Sequence, residues 1–136
     1  MVQNAHMAVA MIITNEESRI LIAKRSADKD FGAGLWELPS GRVENGETLE
    51  EAVRRESMEE LNISINNMVL VDAYMFHRNE YVTALLTYYC QFDGEIKKSE
   101  EHSELKWVDP KTVDQYFEYD NQINSVIKYL KLQNCL

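Results

Sequence analysis

"LPSGRVENGETLEEAVRRESMEELNI", from Leu38 to Ile63, is the stretch whose reading decides this fold. It holds Glu47, Glu50, Glu51, Glu56, Glu59 and Glu60 in a segment with helical character, although like charges three or four residues apart on a helix repel. Thr48 followed three residues later by Glu51 fits a capping box, so the helix is expected to start near Leu49. It should run to about Leu61, with Asn62 as its stop. At about 100° per residue, Glu59 and Glu60 fall to either side of Glu56 on one face, and Leu49, Ala52 and Val53 lie on that face one and two turns earlier. Glu51, Arg54, Arg55 and Met58 are expected to point elsewhere. The three carboxylates therefore continue an apolar stripe. Composition alone favours a solvated acidic face. The geometry favours carboxylates that share a cation, because acids on a core-facing side are costly without compensation, and hard oxygen ligands suit Mg²⁺ or Mn²⁺.

Working outward, "RSADKDFGAGLWELPSG" reads as loop, a short strand around Leu35 to Leu38, then loop again. Before it, β-branched runs at His6 to Thr14 and Ile20 to Lys24 are split by the turn-like "NEES", which predicts an opening antiparallel hairpin. After the helix, "MVLVDAYMFH" and "YVTALLTYYCQF" read as two longer strands flanking "RNE", and "LKWVD" as a shorter one before the turn "DPKTV". Ile123, Val126, Ile127 and Leu130 recur at helical spacing and predict a last helix from about Asn121 to Leu132. This order suggests an α+β fold with a mixed β-sheet between helices.

A chain of 136 residues fits one domain, taken here as residues 1–136, and 45% hydrophobic with 27% charged residues is ordinary globular composition. No stretch approaches the length needed to cross a membrane, and nothing basic precedes "MAVAMII", so it reads as a buried strand rather than a signal peptide. Cys90 and Cys135 fit neither a disulfide framework nor a paired zinc site, which points to a reducing, cytoplasmic setting. The formal net charge of −9 disfavours binding to long nucleic acid. A small anionic substrate remains compatible if a metal ion supplies local positive charge.

Gly41, five residues, Glu47, seven residues, Arg55-Glu56, two residues, Glu59-Glu60, one residue, then Asn62-Ile63: this pattern, led by "GLWELPSG", resembles the signature box of the Nudix hydrolases, the MutT-like superfamily. The likeness extends more loosely over the chain, with "AKR", the late "LKWVD" and a C-terminal helix in matching places. It implies a Nudix-type α/β/α sandwich in which Glu56, Glu59 and Glu60 hold Mg²⁺, or Mn²⁺ in its place, with help from a backbone carbonyl near Gly41. It also implies an ion pair of Glu47 with Arg55 that pins the loop to the helix. For the general base it points to a carboxylate before the late strand, where Glu100, Glu101 and Glu104 are candidates and Glu101 is preferred. Two positions depart from the pattern. Ser57 stands where an apolar residue is usual, expected to face the sheet at most partly, and Asn62 replaces the closing glycine. Asn tolerates the left-handed conformation that a helix C-cap needs.

Outside the box, Lys24 and Arg25 end a strand and can reach phosphates, with Arg25 the better candidate. Trp36, Phe31, Tyr74 and Phe76 offer rings for stacking on a base, against the ordinary alternative of core packing. Asn121 can hydrogen-bond a base edge or serve as the N-cap of the last helix. His6, His77 and His102 form no ligand spacing. The resemblance implies hydrolysis of a nucleoside diphosphate linked to another group, foremost a nucleoside triphosphate giving monophosphate and pyrophosphate, with oxidised nucleotides among the candidates. Its rivals are ADP-ribose or dinucleoside polyphosphate hydrolysis, a catalytically silent nucleotide sensor, and an acidic interaction module. The expected partner is a small nucleotide, with no long nucleic acid and no membrane, and the protein a monomer or homodimer.

Overall fold

The computed structural model describes residues 4–29, 32–78 and 80–134. Along the chain it forms β1 (Asn4–Ile13), β2 (Ile20–Arg25), β3 (Trp36–Glu37), β4 (Ser40–Arg42), α1 (Leu49–Leu61), β5 (Ser64–Arg78), β6 (Tyr81–Asp93), β7 (His102–Val108), a 3-10 turn at Pro110–Gln115, and α2 (Asp120–Asn134). The strands make two sheets, ordered β4-β1-β6-β5 and β3-β2-β7. The first is mixed, because β1 runs parallel to β6 and antiparallel to β4. The α+β class with helices packed around the sheets is as expected.

β1 organises the layers. From Ala8 to Ile13 it is buried on both faces, and successive side chains alternate across it. Val9, Met11 and Ile13 join Ala52, Val53 and Leu61 of α1 in one core, while Ala10 and Ile12 join Val126 and Tyr129 of α2 in the other. Each helix covers one face. Cys90 lies in the α1-side core, and Cys135 falls outside the described residues.

The expected opening hairpin is corrected to a turn alone. Asn15 closes the turn by accepting from the backbone of Glu17 and Arg19, and one bridge joins Thr14 to Ile20. Beyond it the strands part, β2 pairing with β3 and β7. Alternation along a strand reports which faces are buried; it does not report which strand lies alongside. The segment expected as loop after Leu38 contains β4, whose register sets Gly41 opposite Val9 in the central strand. The strand expected from Met68 begins at Ser64, with register shifts at Ile65/Asn67 and Leu70/Asp72. The late strand begins at His102. α2 begins at Asp120, so Asn121 lies inside the helix and is not its N-cap.

α1 starts with the capping box, Thr48 accepting from the Glu51 backbone and the Glu51 side chain reaching back to Thr48. It ends where Asn62 turns left-handed at φ 61°, its N–H donating to the Met58 carbonyl at 3.0 Å. Ser57 is completely buried, a correction to its expected partial exposure, and its hydroxyl has no partner among the described residues. If Asn62 only tolerates this conformation, Asn62→Gly should stabilise the protein by about 0.5–1 kcal/mol and Asn62→Val should destabilise it by at least as much. Urea unfolding midpoints check both signs.

Candidate active site

The two sheets and the N-terminal end of α2 enclose a cleft of about 970 Å³. α1 forms one wall. Gly41, Arg55, Glu56, Glu59 and Glu60 line this end, and Tyr74, Phe76, Asn121 and Gln122 line the other. A side chain at Gly41 would overlap the Glu56 carboxylate, so the missing Cβ lets helix and strand meet there.

Burial divides the three helix acids. Glu60 is 6% exposed, the Glu56 side chain is mostly covered, and Glu59 is open to solvent. Expectation put all three on the core-facing side. The structure places Glu60 deep and Glu59 at the rim. It also corrects the direction of Arg55, which belongs to the cleft wall. Its Nε and Nη2 donate to the two oxygens of Glu47 at 2.6 and 2.9 Å, the fork-to-fork pairing favoured by guanidinium and carboxylate. Nη2 also donates to the Arg42 carbonyl at 2.8 Å, and Nη1 reaches Glu56 at 2.9 Å and Glu59 at 3.2 Å. Glu47 is held near a pKa of about 2 by the Arg55 hydrogen bond and a backbone N–H from Glu44. The same pairing with Glu47, reinforced by Glu56, raises the guanidinium's own pKa.

Glu60 has no ion-pair partner among the described residues. Burial, followed by the charges of Glu56, Glu37 and Glu101, pushes its carboxyl up to about 9, the Arg25 charge opposing this only as the smallest influence, and its Oε2 is buried without a partner among the described residues. Burial also raises Glu56, with Arg55 pulling against it. Among the described residues no three acids or histidines stand preassembled as a cage. The donor set nevertheless fits a hard divalent cation. The Glu56 carboxylate lies against the strand backbone at Gly41, Glu59 and Glu60 line the same end of the cleft, and the deepest of them has an unsatisfied atom.

Arg25, Glu100 and Glu101 also reach the cleft. Glu101 pairs with Lys29 at 2.8 Å, which holds its pKa below the usual range, and its loop is tied to Ser26. Glu104 sits opposite Lys24 in the β2–β7 ladder, off the cleft lining. Lys24 and Trp36 also lie away from it. Trp36 packs edge-on against Tyr116, centroids 6.1 Å apart, with Lys24 Nζ 5.9 Å from its ring. Tyr74 and Phe76 line the cleft with centroids 6.2 Å apart, and Phe31 falls outside the described residues.

Sequence reasoning missed Glu37, His102 and Gln122. Glu37 lines the cleft, and its Oε2 meets His102 Nε2 at 2.9 Å and Arg25 Nη1 at 3.4 Å. His102 is 2% exposed behind it. Strand alternation was the available signal: with Trp36 packed to one side, Glu37 must face the other. His77 lines the cleft, whereas His6 stacks on Tyr81.

The NUDIX domain profile matches residues 4–130, and the chain belongs to that family. A CTP pyrophosphohydrolase of Escherichia coli K12 is 32% identical over 109 residues, 79% of each chain. An 8-oxo-dGTP diphosphatase of Haemophilus influenzae is 38% identical over 80 residues, covering 59% of this chain and 56% of that protein. The chain thus spans little more than half of this last relative. The solution structure of the E. coli ORF135 protein superposes with a TM-score of 0.83 at 29% identity, covering 96% of this chain and 92% of that one.

The Glu60 environment has a sign. Its folded-state pKa of about 9 exceeds the ordinary 4.5, so the folded protein holds a proton that the unfolded chain releases. The metal-free protein should therefore lose stability as pH rises from about 4.5 to about 9. Melting curves in EDTA should show this decline, and Glu60→Gln should flatten it. An equal slope in both proteins would contradict the assignment.

Proposed function

We propose that this protein is a divalent-metal-dependent nucleotide pyrophosphohydrolase. It takes a nucleoside triphosphate and releases the monophosphate and pyrophosphate. The observation that carries the reading is Glu60, a buried, unpaired carboxyl at the floor of an acidic cleft beside Gly41 and Glu56. An uncompensated acid in that position makes physical sense if a cation occupies the site during turnover. The names of the relatives, 8-oxo-dGTP diphosphatase and CTP pyrophosphohydrolase, support a nucleoside triphosphate as the substrate class.

Glu56, Glu59 and Glu60, with the backbone at Gly41, would hold Mg²⁺. When bound, the ion supplies charge neutralisation on the phosphates and a lowered pKa for attacking water. The chain's own groups do the remaining work. Arg55 and Glu47 hold the loop against α1 and keep Glu56 in place. Arg25, steadied by Glu37, faces the phosphates. Glu101 accepts the proton as water oxygen bonds to phosphorus and the bridging phosphoanhydride bond breaks, its electrons leaving on pyrophosphate. Its ion pair with Lys29 keeps it ionised and able to accept. Tyr74 and Phe76 supply aromatic surface for the base, and Asn121 an amide for its edge.

Pyrophosphate release from a panel including 8-oxo-dGTP, dGTP and CTP, with Mg²⁺ and then with excess EDTA, tests this. Turnover should vanish on chelation. Glu60→Gln should lower it by at least ~10–100-fold, whereas Glu50→Gln, in the first turn of α1 and off the cleft lining, should leave it unchanged. Full activity in EDTA, or in Glu60→Gln, would overturn the reading.

A further inference from the structure

We infer that Gln122 selects the nucleobase, favouring keto bases over amino bases; this rests on the nucleotide reading above. Leu38 lies just past β3, where the ladder with β2 has ended, and it is 1% exposed. Its N–H is buried and needs an acceptor. That acceptor is the side-chain oxygen of Gln122, at 2.8 Å, reaching across from the first turn of α2. A flipped amide would set two donors against each other, so the bond dictates which way the amide points.

The consequence falls on the other end of the group. Gln122 lines the cleft, and its Nε2 makes no hydrogen bond among the described residues. It therefore presents N–H donors to the cleft and cannot rotate to offer an acceptor without stranding the Leu38 N–H. Asn121 beside it is different. Its backbone carbonyl accepts from Ser125, but its exposed side chain has no bond that fixes it among the described residues and can turn to suit either kind of base edge. Of the two amides, the adaptable one binds and the pinned one discriminates. Guanine, uracil and thymine carry an exocyclic carbonyl where adenine and cytosine carry an amino group. A fixed donor pairs with the first and opposes the second, leaving two donors unpaired. The same bond joins this end of the cleft to the segment leading into Gly41, so the base contact is held by the strand pair that also positions the acids.

The test compares binding of non-hydrolysable triphosphate analogues in matched pairs, guanosine against adenosine and uridine against cytidine, by calorimetry with Mg²⁺. The wild-type protein should favour the keto member of each pair by about tenfold. Gln122→Glu retains an oxygen for Leu38 but replaces the donor with an acceptor, so the ratio should fall to one or invert while the ligand-free melting temperature holds. Comparing ratios cancels any general effect of the added charge on triphosphate binding. Gln122→Met, which loses both contacts, should abolish the preference and lower the melting temperature. A wild-type ratio near one, a ratio unchanged in Gln122→Glu, or no binding of any analogue would overturn the inference. Selective binding without any pyrophosphate release would instead bring down the proposed reaction and leave the selectivity standing.

Discussion

The guanidinium of Arg55 is the interaction on which the site depends. It bonds Glu47 through both oxygens, caps the Arg42 carbonyl at the end of β4, and reaches Glu56 and Glu59. One planar group thereby joins the loop, the short strand and the acidic helix. A lysine would not do this, because an ammonium lacks the rigid fork that serves several acceptors in one plane. The arrangement also accounts for the crowding of acids in this segment. Glu47, Glu56 and Glu59 share a cation supplied by the chain, whereas Glu60, one turn past Glu56 and deeper, does not.

That contrast is produced by the layers. From Ala8 to Ile13 β1 is apolar on both faces and holds α1 on one side and α2 on the other. α1 is buried through Ala52, Val53, Ser57 and Leu61, and Glu60 falls within the same covered surface. Gly41, fixed in register beside β1, removes the one atom that would separate strand from helix at that point. A carboxyl is thus carried into a low-dielectric position by packing that would otherwise serve an apolar residue. On the far side, α2 brings Asn121 and Gln122 to the opposite end of the same cleft.

Much of this was legible beforehand. Thr48, Glu51 and Asn62 are local signals, and they mark the ends of α1 because capping depends on neighbours in sequence. The periodic apolar residues located α2 for the same reason. What was not legible is pairing at a distance. β4 is the short stretch Ser-Gly-Arg, whose turn-like composition hides that β1 recruits it as an edge. The parting of β1 and β2 depends on partners from the last half of the chain. The same limit governed the site. The helix acids share one motif and were found together, whereas Glu37 with His102, and Leu38 with Gln122, are separated by 65 and 84 residues. Lys24 and Trp36 stood among the candidates beside the preferred Arg25, and strand alternation turns them to the other side of the sheet.

The central claim is that Glu60 is an acid awaiting a cation, and its protonation state is directly measurable. With glutamate labelled at the carboxyl carbon and Glu60 assigned through Glu60→Gln, NMR titration should place its midpoint near 9 in metal-free protein. Saturating Mg²⁺ should leave it ionised at neutral pH. A Glu60 that titrates near 4.5 in the metal-free protein, unmoved by Mg²⁺, would contradict the account.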